Sequence, residues 1–145
     1  MRALAALAEE RRKGRHLWYI RGSTDFYGCE IKTDERALIP RPETELLAEL
    51  AVKAAKEGDA LLDMCTGSGC IAVALAKYCA DRHVSVTAAD KSTEALALAA
   101  ENAAANGAEV RLLESDLFAS VEGTFDIIVC NPPYVKRGDL ADLQR

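Results

Sequence analysis

Leu61-Leu62-Asp63-Met64-Cys65-Thr66-Gly67-Ser68-Gly69-Cys70-Ile71-Ala72 is the stretch on which the fold turns. An apolar run, two glycines at alternate positions and a second apolar run at helical spacing read as a buried strand, a tight turn and a helix. Outward from it the same alternation repeats. Strands are expected over 60–64, 84–89, 110–114 and 125–130, and helices over 70–79 and 93–105. Ser92 before Thr93-Glu94-Ala95 suits a capped helix start, and Asn106-Gly107 a stop. Strand and helix in alternation predict an α/β fold with a parallel sheet.

Upstream, residues 1–13 read as a helix closed by Gly14 in the left-handed cap. Trp18 to Thr33, rich in aromatic and β-branched residues with Gly28 near its middle, reads as a hairpin. Pro40 and Pro42 make 34–41 a loop. A further helix is expected from Pro42 or Glu43 to Glu57, with Leu46, Leu47, Leu50 and Ala54 as its apolar stripe.

Glycines let a backbone approach a ligand closely, and the helix that follows offers free N–H groups at its first turn. Asp90 closes the next strand about twenty positions on, where a carboxylate can accept from the two hydroxyls of a ribose. Together they describe a nucleoside pocket at the carboxyl ends of the strands. A plain strand–helix corner is the bland reading. A dinucleotide site is a second, because Gly67, Gly69 and Ala72 also fit its glycine pattern. Spacing leaves these open; Asp63, placed to brace the loop or the amino acid end of a ligand, and the motif after the last strand favour another nucleoside ligand.

That motif is Asn131-Pro132-Pro133-Tyr134, at the end of the apolar run Phe125 to Cys130, which reads as a buried strand. Two prolines remove two N–H donors and leave rigid carbonyls that only accept. An amide or aromatic amino nitrogen is a poor nucleophile because its lone pair is delocalised, so a site that alkylates it must orient it. Acceptors on Asn131 and Pro132 suit its two N–H groups, and Tyr134 can stack on the planar group. A stiff turn with a core aromatic is the bland alternative.

The chain has 145 residues and a net charge of −5. Its charge gives no reason to expect nucleic acid binding, and no apolar run reaches membrane-spanning length. Five cysteines without a CxxC pair argue against zinc and disulfides and for a reducing cytoplasm. The order of charges around the first apolar run is the reverse of a secretory signal's. His16 and His83 lie away from the motifs and are not expected to act as general bases.

Phe26-Tyr27-Gly28, Leu38-Ile39-Pro40-Arg41-Pro42-Glu43-Thr44-Glu45, the glycine turn and Asn131-Pro132-Pro133-Tyr134 together resemble the release factor glutamine methyltransferases, the HemK or PrmC family. The Ile-Pro-Arg-Pro-Glu-Thr-Glu segment is the most diagnostic. The proline tetrad alone also occurs in adenine amino methyltransferases. The resemblance implies a Rossmann-like class I methyltransferase that uses S-adenosylmethionine. It further implies that Cys65, Thr66, Gly67, Ser68 and Gly69 line the methionine and ribose side, that Asp90 holds the ribose, and that Asp116 and Leu117 flank the adenine. Asn131, beside both ligands, with Pro132, Pro133 and Tyr134 would hold the substrate amide. The implied substrate is the glutamine of the Gly-Gly-Gln loop in class I peptide release factors, with a ribosomal protein, an adenine amino group or a non-catalytic nucleotide module as alternatives.

Against the family pattern, residues 1–16 correspond to the end of an N-terminal helical domain. Residues 17–42 are a hairpin and linker, and 43–145 a methyltransferase domain with about four of seven strands, so the chain is expected to be truncated at both ends. Cys65 stands where the family usually has glycine, a departure expected to be tolerable if the backbone there has negative φ.

Overall fold

The computed structural model describes residues 2–132. Helix α1 (Arg2–Arg12) ends near Gly14, which takes the expected left-handed conformation at φ +89°. A short helix, α2 (Leu17–Arg21), follows where the hairpin was expected to begin. Gly22 explains the shift: at φ +82° it caps α2, with its N–H donating to the Trp18 carbonyl, and so delays the strand. The hairpin proper is β1 (Ser23–Phe26) against β2 (Cys29–Lys32). Tyr27 and Gly28 both have positive φ, the conformation a two-residue hairpin turn requires.

Helix α3 (Thr44–Ala54) is shorter than expected and buries a different face. Thr44, Ala48, Ala51 and Val52 face inward, whereas Leu46 and Leu50 are more than half exposed. Small residues on the inner face let α3 lie close to its neighbour, α4, and the leucines are left outside. Arg82 closes the end of α3 by donating to the Val52 and Ala55 carbonyls at 2.5 and 3.0 Å, satisfying groups that a helix end otherwise leaves orphaned.

The sheet is built from β3 (Ala60–Met64), β4 (Ser85–Asp90), β5 (Arg111–Glu114) and β6 (Ile127–Cys130), in the order β5-β4-β3-β6 with every pairing parallel. Helices α4 (Cys70–Tyr78) and α5 (Thr93–Ala105) supply the crossovers. Ser92 caps α5 as expected, accepting from the Ala95 N–H.

One face of the sheet, through Leu61, Val86, Ala88 and Val129, packs with α3, α4 and the hairpin residues Phe26, Cys29 and Ile31 into the main core. The hairpin therefore contributes to the main core. A smaller cluster of Leu62, Met64 and Ala89 lies on the other face with Cys65, Leu113, Val121 and Phe125. Strand β6 departs from its expected burial: Val129 is buried, but Ile128 is 49% exposed and Cys130 is exposed. It forms one margin of the sheet among the described residues, so only one of its faces is covered. All five cysteines are free.

Candidate functional site

Parallel pairing decides where the site lies. Met64 at the end of β3 pairs with Cys130 at the end of β6, and with Ala89 next to the end of β4. The glycine turn, Asp90 and Asn131 therefore leave one rim of the sheet from adjacent strands, the rim where open α/β sheets bind ligands. His83 precedes β4 and lies at the opposite rim.

Asp63 organises the turn from beneath, only 1% exposed. Its Oδ2 accepts from the Thr66 hydroxyl at 2.5 Å and from the Ala72 N–H at 3.1 Å, bracing both limbs of the turn as expected. Its Oδ1 has no partner among the described residues. Burial pushes the carboxyl up to about 7, against the pull of those two hydrogen bonds and with a smaller push from Asp90. A buried polar atom without a partner is rare and points to a water or ligand.

Cys65, Gly67 and Gly69 alternate in the left-handed region at φ +60°, +55° and +78°. The condition on which cysteine was expected to be tolerable, a negative φ, is not met: the turn demands a left-handed residue there, and the cysteine carries a cost of roughly 1–2 kcal/mol that glycine avoids. The reversal also puts Cys65 with Met64 on the side of the smaller cluster. Burial first, and then the Cys130 thiol, push its thiol up to about 11, so it is a weak nucleophile at neutral pH. At Gly69 a Cβ would stand 2.8 Å from the Ala99 Cβ and 3.0 Å from its Cα. Only glycine satisfies both that approach and that dihedral.

Asp90 accepts from the Gly67 N–H through Oδ2 and from the Ser92 N–H through Oδ1, each at 2.9 Å. A carboxylate has about four lone-pair sites, so capacity remains for two ribose hydroxyls. Beyond β5, Ser115 donates to the Leu117 carbonyl at 2.5 Å and holds Leu117 at φ +52° with its side chain exposed. Asp116 forms an ion pair with Lys91. Both lie on the loop that follows β5, on the rim already described.

Asn131 is exposed, and its Nδ2 donates to the Thr44 hydroxyl at 3.2 Å. This bond joins the proline tetrad to the Pro-Glu-Thr-Glu segment across 87 positions. It also fixes the orientation of the amide, whose carbonyl oxygen meets no donor among the described residues. Pro132 is exposed beside it, while Pro133 and Tyr134 lie outside the described residues.

Two residues were not singled out from sequence. Thr44 lay within a quoted motif, but nothing local joins it to Asn131. Asn102 lies on α5 in phase with Ala95, Leu98 and Ala99, which marks it for the buried face, yet its partners belong to other elements.

The left-handed cradle, the unpartnered Asp63 oxygen and the spare capacity of Asp90 fit a nucleoside ligand with a charged amino acid end. Residues 42–143 match the Methyltransferase small domain family. The release factor glutamine methyltransferase of Streptococcus pneumoniae is 52% identical over 86% of the chain and 44% of its own length; that of Chlorobaculum tepidum is 41% identical over 99% and 53%. The chain thus spans about half the length of the curated relatives it matches. Among solved structures, a ribosomal protein L11 methylase from Lactobacillus delbrueckii subsp. bulgaricus is 38% identical with a TM-score of 0.56, over 63% of this chain and 47% of that one. A methyltransferase from Pyrococcus furiosus is 26% identical with a TM-score of 0.63, over 86% and 63%. By the family match the chain belongs to the methyltransferase small domain family.

Proposed function

We propose that the protein methylates the side-chain amide nitrogen of the Gly-Gly-Gln glutamine in class I peptide release factors, in the cytoplasm, using S-adenosylmethionine. One observation supports it above the others: the Met64–Cys130 register brings the nucleoside turn and the acceptor corner to neighbouring strand ends. Cys65 to Gly69, Asp90, Asp116 and Leu117 would hold the cofactor, with Asn131 lying between it and the amide. S-adenosylmethionine supplies an electrophilic methyl on a sulfonium, whose sulfur keeps the electron pair when the carbon–sulfur bond breaks.

The chain's own part is orientation. The Asn131 carbonyl oxygen, its amide oriented by the bond to Thr44, accepts from one substrate N–H, and the Pro132 carbonyl accepts from the other. Holding the planar amide this way aims its nitrogen and favours the positive charge that grows on it. By the family pattern Pro133 and Tyr134, which lie outside the described residues, would complete the seat of the substrate amide. The nitrogen becomes acidic as it is alkylated, so its proton can leave to water without a strong base.

The test is mass spectrometry of a release factor incubated with the protein and S-adenosylmethionine: one methyl is expected on the Gly-Gly-Gln peptide. Asn131→Ala should lower turnover by about a hundredfold or more while cofactor affinity changes little. An unmodified peptide in the presence of bound cofactor rejects the substrate. The similarity to an L11 methylase makes a ribosomal protein the second reading, and the same assay on that substrate separates them.

A further inference from the structure

Asn102 is a polar side chain that the proposed chemistry leaves unused, and it is 1% exposed. Its Oδ1 accepts from the Lys32 N–H at 2.7 Å. Its Nδ2 donates to the Lys32 carbonyl at 3.2 Å and to the Ser68 carbonyl at 2.8 Å. Both donors of the amide are thereby used. Lys32 ends the hairpin, and Ser68 stands between the two left-handed glycines. The Ser68–Gly69 peptide is held at both poles, its carbonyl by Asn102 and its N–H by the Thr66 carbonyl at 2.9 Å. One helix turn on, Asn106 donates to the Glu30 carbonyl at 2.9 Å. It grips the same hairpin without reaching the turn.

We infer that Asn102 is a positioning residue of the cofactor site, fixing the Ser68–Gly69 peptide and tying it to the seating of the hairpin, so that hairpin and bound cofactor stabilise one another. The inference rests on the cofactor reading above. The physical ground is that the Asn102 side chain is buried and its bond to the Ser68 carbonyl with it, where an unmade hydrogen bond is costly. A group shared by two sites also couples them reciprocally: what the cofactor gains from an ordered hairpin, the hairpin gains from bound cofactor.

Asn102→Asp keeps the shape and the acceptor toward Lys32 but removes both donors; Asn106→Ala removes an exposed bond to the Glu30 carbonyl and one to the Asn102 carbonyl, and leaves the three side-chain bonds of Asn102 in place. Calorimetric titration of the full chain with S-adenosylmethionine, below the melting range of both variants, should show about tenfold weaker binding for Asn102→Asp. Asn106→Ala should stay within about twofold of wild type. Wild-type affinity in a folded Asn102→Asp variant, or equal losses in the two variants, overturns the inference. Hydrogen exchange on the wild type needs no variant: cofactor should slow exchange at the Lys32 amide, and unchanged exchange there overturns the coupling even if Asn102→Asp fails to fold. A wild type that binds no S-adenosylmethionine rejects the cofactor reading itself, and the inference with it.

Discussion

The turn after β3 and the corner after β6 leave neighbouring strands at one rim, yet they are secured to different degrees. In the turn, Asp63, Asp90 and Asn102 each hold a different peptide or side chain, with donors and acceptors drawn from four elements. At the corner the side chain of Asn131 has a single partner among the described residues, Thr44. The contrast teaches where the chain invests its own bonding. A small ligand bound by backbone groups needs those groups fixed beforehand, whereas a corner that receives a peptide amide must keep acceptors open for it.

The sharpest way to break the comparison is to disturb the fixed side. Gly69→Ala sets a Cβ against Ala99 at 2.8 Å in a left-handed position, and should cost about 3 kcal/mol of stability, read as a lower denaturant midpoint. A wild-type midpoint would mean that the turn has slack. Next comes the charge beneath it. The folded pKa of Asp63, about 7, lies above its ordinary 3.8, so its contribution to stability is complete below about 4 and is lost as pH rises through about 7. Relative to Asp63→Asn, the wild type should lose up to about 1.4 kcal/mol per pH unit across that window. Parallel pH profiles for the two proteins would show that Asp63 is already ionised throughout.

At the open corner the effect should be smaller and fall on turnover. Thr44→Val keeps the shape and frees the Asn131 amide to rotate; turnover should drop about tenfold with cofactor affinity unchanged, and Thr44→Ser should restore it. Equal turnover in Thr44→Val would place the orientation of Asn131 under some other control.

These residues also show what sequence discloses. The strands, the glycine turn, Asp90 and the Ser92 cap were legible because each is announced by period or punctuation within a few positions. The inward face of α3 was not, since apolar spacing favoured Leu46 and Leu50 where the neighbouring helix accepts Ala48 and Ala51. The bonds of Asn131 to Thr44 and of Asn102 to Lys32 span 87 and 70 positions, beyond any local pattern. The left-handed backbone at Cys65 was hidden for a different reason: cysteine occupies a conformation that its own chemistry disfavours, and the surrounding turn enforces it.

The contact between Gly69 and Ala99 has a consequence for how this fold can vary. A bare glycine is usually taken as a constraint on one residue, but here the space it vacates is already occupied from the facing helix, so the restriction is shared. Position 99 inherits a ceiling on bulk that nothing in its own helix would impose, and any lineage that enlarges that alanine must first move α5 away from the ligand's cradle.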